Sequence, residues 1–417
     1  SPGNLAWSPD GRQLAFTAFV DSSPAPFVTL PAAPKGAEWA KPARVIDRAI
    51  YRRDGAGYVK DGYQHIFVVP AEGGRPRQLT SGDFHHRGRL AWSHDSQSIV
   101  FSATRREDWE FESRRSELFE IEVADGKLAQ LTDRRGPDTD PTISPDGKLL
   151  AWIGYDDGNR SYHVPQLYVM KRNGKDRRVL TTALDRPVQS PTWADNSSGV
   201  FVQYEDQGLT RVALIDLKGR MTPVASNVGG TTIGRPYSSG SFSVSRKGLL
   251  AYTQTRPDHP ADLAVARKGK APVLLTRLNE DLLGRRQLGD VEEIRYKSSF
   301  DKRSIHGWIV KPPGFDPKKT YPVLLEIHGG PFANYGERFS VEVQLYAAAG
   351  YLVLSTNPRG STGYGQAFAD LIDHNYPCEG DFQDMMSGLD ELIRRGWADP
   401  RQQYITGGSG GGILTAW

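Results

Sequence analysis

The run Gly407-Gly408-Ser409-Gly410-Gly411 fits the spacing G-x-S-x-G. Glycines on either side let a serine stand on a sharp strand-to-helix turn with its hydroxyl bared. The chemistry implied is nucleophilic attack on a carbonyl, with negative charge developing on the carbonyl oxygen. Gly410, opening the following helix, offers its backbone N–H as a first donor to that oxyanion. The alternatives are a plain glycine-rich turn and a phosphate-cradling loop. A G-x-x-x-x-G-K-[ST] loop needs a lysine that does not follow here. A dinucleotide fingerprint belongs on the first strand of its unit.

A second stretch, Glu326-Ile327-His328-Gly329-Gly330-Pro331, matches the HGG-type turn that supplies the other oxyanion donor in α/β-hydrolases. Gly330 N–H is the candidate there. His328 is read as shaping the loop rather than as a base. His306 and His374 are weak bases, because both precede the serine and the chain order is Ser…Asp…His. No Asp or His lies between Ser409 and Trp417. A serine hydroxyl without its histidine is a weak nucleophile. The chain by itself is therefore expected to be inactive, with the triad Asp and His beyond Trp417 and the domain truncated after the elbow.

The surrounding elements suit that chemistry. QQYIT reads as a short strand before the serine, and GGSGGGILTAW turns into a helix. VEEIRYKSS and SIHGWIVKPP look like antiparallel strands; YPVLLEIHGG and YLVLSTNPRGS look like buried ones. FSVEVQLYAAAG is helical and closed by Gly350. In EGDFQDMMSGLDELIRRG, Phe382, Met385, Met386, Leu389 and Ile393 recur at helical spacing, with Arg394, Arg395 and Gly396 ending the helix. Alternating strands and helices predict a parallel α/β sheet over 281–417.

Residues 1–280 have a different grammar. LAWSPDGRQLAFTA, LAWSHDSQSIVFSA, TISPDGKLLAWIG, TWADNSSGVFVQY and FSVSRKGLLAYTQ recur, and the steps between Ser93, Ser144, Ala194 and Ser245 are 51, 50 and 51 residues. Each copy is an apolar stretch, a turn built on Asp, Asn, Ser or Gly, and an alternating strand. A second two-strand segment follows each, as in HIFVVPAEGGRPRQLT and ELFEIEVADGKLAQLT. Four strands per unit of this length predict a β-propeller of at least five blades, incomplete at its N-terminus. The insertion from Ala43 to Gln64 reads as a solvated loop. His85-His86, adjacent and so on opposite faces of any strand, reads as surface loop.

Composition sets further bounds. The 417 residues carry a formal charge of +3 with acids and bases interleaved, so neither nucleic acid nor a membrane is expected as partner. No apolar run is long enough to span a bilayer. The lone Cys378 excludes an internal disulfide and a cysteine metal cluster. No metal site is expected. The opening SPGNLAWSPDG lacks a signal-peptide pattern, which favours the cytoplasm, with periplasmic or secreted as the alternative where the true N-terminus lies elsewhere.

A repeat region of this kind, followed in order by HGGPFANYG, NPRGSTGYG and GGSGGG, resembles the prolyl oligopeptidase family of serine peptidases. Within it the likeness is greatest to bacterial acylaminoacyl-peptidase-type members, and it covers essentially the whole chain. The resemblance implies Ser-Asp-His catalysis, no metal or organic cofactor, and a propeller that screens out folded proteins. It makes Ser409 the nucleophile, with Gly410 and Gly330 as oxyanion donors. It makes Arg359 part of the active-site wall, its alternative being a loop-bracing arginine. Tyr335 becomes a fallback oxyanion donor. The expected partners are short or N-acylated peptides and the remaining part of the hydrolase domain, as a missing segment or second chain; a homo-oligomer stays open. Asp108-Trp109-Glu110-Phe111-Glu112 matches only in part the motif with which dipeptidyl-peptidase members hold a substrate ammonium, and is read mainly as a charged hairpin loop. A carboxypeptidase-like variant, a serine esterase and a non-catalytic propeller scaffold are the competing readings.

Overall fold

The computed structural model describes residues 2–22, 28–29, 31–40 and 43–417. The chain divides into two compact units, Ser1–Ile143 and Ser144–Trp417. In the first unit, strands Gly3–Trp7, Gln13–Asp21, Gly62–Pro70 and Arg77–Gln78 form one antiparallel sheet. His86–Trp92, Ser98–Ala103, Glu117–Glu122 and Leu128–Gln130 form another. Ile66, Ile99, Phe101 and Ile121 belong to their shared core. His86 corrects the surface-loop reading. It opens a strand, is fully buried, and lies 3.1 Å from the Gln64 carbonyl and 2.7 Å from Arg105. Burial holds its pKa down to about 3, so the ring stays neutral.

In the second unit the same grammar continues. Val188–Trp193, Gly199–Asp206, Leu209–Asp216 and Met221–Ala225 form a four-stranded meander. Phe242–Val244, Leu250–Arg256, His259–Ala266 and Val273–Leu274 form the next.

Two recurrent hydrogen bonds explain why the repeat spells what it does. At the first turn, Ser8, Ser93 and Ser144 each donate to the aspartate two residues on at 2.6 Å. The same hydroxyls accept from the N–H of Gln13, Ser98 and Leu149, closing the hairpin. At the other edge, the threonine ending four of the five partner segments accepts a backbone N–H from the neighbouring strand. The pairs are Thr80 with Ile66, Thr132 with Leu118, Thr181 with Leu167 and Thr276 with Leu263, at 2.8–2.9 Å. Serine-aspartate turns and closing threonines thus satisfy strand-end donors that would otherwise be unpaired.

The remainder is one mixed sheet. Its strands are β1 (Val291–Lys297), β2 (Ser304–Val310), β3 (Tyr321–Ile327), β4 (Leu352–Asn357) and β5 (Ala398–Gly407), in spatial order β1-β2-β4-β3-β5. β1 and β2 are antiparallel, while β4, β3 and β5 run parallel. Helix α1 (Val341–Ala348) is capped by Ser340, whose Oγ accepts the Val343 N–H. Helix α2 (Glu379–Arg394) buries Met385, Leu389 and Leu392 against Ile294, Ile305, Leu325 and Leu354. Phe382, expected on that buried face, is exposed, and Leu392 takes the interior position. Helix α3 (Gly410–Ala416) follows β5.

Candidate active site

β3 and β5 are parallel neighbours in register, Ile327 opposite Gly407. The chain leaves both strands at the same end of the sheet, so the turns His328-Gly329-Gly330 and Gly408-Ser409-Gly410 emerge side by side. The carboxyl ends of parallel strands are where α/β sheets build ligand sites. Ser409 sits between β5 and α3 with φ 56° and ψ −120°, and its side chain is exposed. A non-glycine residue in that region is strained, and the packing around it must hold it there. The strained, solvent-facing serine at a strand-to-helix turn is the arrangement a nucleophile elbow requires.

The neighbouring backbone is packed to contact. A Cβ on Gly410 would fall 2.8 Å from the Gly330 carbonyl oxygen and 3.0 Å from the Gly330 nitrogen. A Cβ on Gly329 would fall 3.4 Å from Ser409 Cβ. The Gly410 N–H, in the first turn of α3, has no partner within the helix. The Gly410 and Gly330 amides therefore border the same small space beside Ser409.

Beneath the turn lies a charged cluster. Glu326, two residues before His328, is fully buried and receives the Tyr335 hydroxyl at 3.0 Å and Arg235 Nε at 3.1 Å. Burial raises its pKa to about 7, with Arg235 and Tyr335 opposing the rise. Its other oxygen has no hydrogen-bond partner among the described residues. Arg235 also chelates Glu342 through Nε at 3.0 Å and Nη2 at 3.3 Å. His328 is buried, its Nδ1 2.8 Å from the Gly329 carbonyl and its Nε2 3.0 Å from Ser361 Oγ. With both nitrogens engaged, it shapes the loop.

Two expected substrate residues are placed otherwise. Tyr335 is fully buried and its hydroxyl is committed to Glu326, so it presents no donor to a substrate. Arg359 is almost wholly buried and grips Asp384 through Nε at 2.9 Å and Nη2 at 2.8 Å, with its backbone N–H on the same carboxylate. That favours its alternative, the loop brace. His306 is buried beside Glu293 and Tyr364 on β2, and His374 lies 3.3 Å from the Asn159 carbonyl; neither is brought to Ser409 by a hydrogen bond. Sequence reasoning missed Arg235, Tyr237 and Glu326. A charged glutamate inside the buried-type strand YPVLLEIHGG was the one available signal. Among the described residues, no three His, Cys, Asp or Glu side chains converge as a metal site would need.

Comparison with known proteins concerns the domains. Residues 4–231 match the TolB beta propeller domain and residues 337–417 match the Prolyl oligopeptidase family. The chain is 30% identical over 427 residues to the Bacillus subtilis (strain 168) protein named "Uncharacterized peptidase YuxL", covering 99% of this chain and 63% of that one. It is 26% identical over 334 residues to dipeptidyl-peptidase 5 of Porphyromonas gingivalis, covering 79% and 47%. Among solved structures, an acylaminoacyl peptidase in complex with Z-Gly-Gly-Phe-chloromethyl ketone superposes with TM-score 0.79 at 22% identity, over 100% of this chain and 60% of that one. The Pyrococcus horikoshii acylaminoacyl peptidase gives TM-score 0.78 at 21% identity, with the same coverage. The chain spans 47–63% of the length of these relatives. Behind the propeller match over residues 4–231, the match over residues 337–417 places that part of the chain in the prolyl oligopeptidase family.

Proposed function

We propose that the full-length protein is a serine peptidase hydrolysing short or N-acylated peptides through an acyl-enzyme on Ser409. The observation that carries this is the exposed Ser409 at φ 56°, flanked by the Gly410 and Gly330 amides. Ser409 Oγ attacks the scissile carbonyl carbon, its proton passing to a histidine base oriented by an aspartate. The carbonyl oxygen becomes an oxyanion between the Gly410 and Gly330 N–H groups. The C–N bond then breaks as the leaving amine takes that proton, and water hydrolyses the Ser409 ester in a second half-reaction. The aspartate and histidine are assigned to sequence outside these 417 residues, consistent with a chain that spans 63% of a relative.

Relatives described as acylaminoacyl and dipeptidyl peptidases support the substrate class. The test is labelling by a fluorophosphonate probe, which esterifies an activated serine. The full-length protein should label at Ser409 and Ser409→Ala should not, while the 417-residue chain alone should label several orders of magnitude more slowly. An unlabelled full-length protein favours the non-catalytic scaffold. Turnover of p-nitrophenyl esters without hydrolysis of acylated amino acids favours an esterase.

A further inference from the structure

The segment joining the last two propeller-type sheets, residues 226–241, is tied through residues 233–237 to the α/β region. The Ile233 carbonyl accepts the Val341 N–H at 2.7 Å, and the Gly234 carbonyl accepts the Ser340 hydroxyl at 2.7 Å. The Pro236 carbonyl accepts from Arg338 Nη1 at 3.1 Å. Between these, Arg235 is fixed by Glu342 and Glu326. The next residue is Tyr237. It bridges Tyr335 through the backbone, with the rings 4.8 Å apart at 64°. Its hydroxyl oxygen accepts the Gly329 N–H at 2.5 Å.

Gly329 is the residue of the turn that comes against Ser409. Gly329 and Gly330 carry no side chains, and Gly330 stands at φ 135°, so beyond the His328 ring on the Gly329 carbonyl the turn depends on contacts from outside it. Oxyanion stabilisation depends on donors held in place before charge develops. Tyr237 on the Gly329 N–H holds the 328–329 peptide, and His328 on the Gly329 carbonyl holds the 329–330 peptide, so the two contacts together set the conformation at Gly329 and the direction of the Gly330 amide.

We infer that Tyr237 is a positioning residue for the oxyanion turn, a propeller-side phenol that holds Gly329 so that the Gly330 amide faces Ser409. This rests on the proposed function and deepens it. The propeller region then contributes to the chemical step. Because the phenol oxygen is engaged by Gly329, its effect passes through the turn.

The test uses the full-length protein and Tyr237→Phe, which keeps the ring against Tyr335 and deletes the acceptor. kcat should fall about tenfold to a hundredfold, below the full loss of an oxyanion donor, with KM within about twofold. Inhibition by a peptide boronic acid, whose adduct carries the oxyanion, should weaken by the same factor, while affinity for a product peptide stays unchanged. Unchanged kcat and boronate inhibition would overturn the assignment, as would equal losses in kcat and product affinity. A second reading needs no variant: in the wild type, hydrogen exchange at the Gly329 amide should be slow, and fast exchange there sinks the inference. A wild type that exchanges slowly at Gly329 yet is not labelled at Ser409 rejects the peptidase reading, and the positioning role with it.

Discussion

Arg235 Nε and Glu326 Oε1 lie 3.1 Å apart, joining the segment after the fourth repeat to the strand that ends in the HGG turn. The pair has unequal surroundings, with Arg235 about a quarter exposed and Glu326 fully enclosed. Burial therefore dominates at the glutamate, and one cation does not restore its ordinary acidity.

A pH dependence follows from that imbalance. The folded-state pKa of Glu326, about 7, exceeds the ordinary 4.5, so the native state binds this proton more tightly than the unfolded chain. Stability contributed by this group is then fully present below about pH 4.5 and is lost as pH rises through about 7. The loss is at most roughly 3.5 kcal/mol, since one pKa unit is worth about 1.4 kcal/mol. Urea unfolding of the full-length protein at pH 5 and pH 8 should show a smaller decline for Glu326→Gln than for wild type. Parallel slopes would show that Glu326 keeps an ordinary acidity.

Tyr335 separates two uses of a tyrosine near the turn. Because its hydroxyl serves Glu326, Tyr335→Phe should cost stability, about 1–3 kcal/mol for a buried acceptor losing its donor. kcat should change by less than about threefold, well short of the 10²–10³ that loss of an oxyanion donor costs. A hundredfold fall in kcat with unchanged stability would restore the oxyanion role.

Arg359 poses the same choice between wall and brace. Arg359→Ala leaves the Asp384 carboxylate buried without its bidentate partner, a change that typically costs about 3–5 kcal/mol. Arg359→Lys should recover only part of this, because an ammonium cannot form the paired contact. Substrate preference among acylated amino acids should stay fixed in whichever variant folds. A changed preference at unchanged stability would return Arg359 to the active-site wall.

How much of this could be seen in the residues follows from what each signal reports. The strands and helices around Ser409 were legible because apolar spacing and glycine turns are local, and Ser409 itself because its motif sits between a strand and a helix. Phe382 misled because helical spacing marks a stripe without saying which edge of it meets the sheet. Leu392, on the other edge, joins the buried core that holds Leu354. Arg235 and Tyr237 were invisible for another reason. Gly-Arg-Pro-Tyr reads as linker, and its partners Gly329, Glu326 and Glu342 are set by tertiary approach that no periodicity encodes. His86 failed likewise: adjacency excludes a shared face, yet it permits one ring to be buried.

Gly410 carries the last prediction, since the helix would otherwise welcome a side chain there. Alanine is favoured over glycine within helices by roughly 0.5–1 kcal/mol, so Gly410→Ala should stabilise α3 if space allowed. Space does not allow it, because the new methyl would meet Gly330 backbone atoms at 2.8 and 3.0 Å, and backbone cannot rotate aside as a side chain can. Either α3 starts later or the His328–Gly330 turn moves away, and both outcomes separate the two proposed oxyanion donors. Gly410→Ala in the full-length protein should therefore lose about 10²–10³ in kcat while KM changes little. Fluorophosphonate labelling at Ser409 should slow in step, because that reaction also places negative charge between the two amides. Wild-type rates in both assays would mean that the turns are not packed as the structure has them.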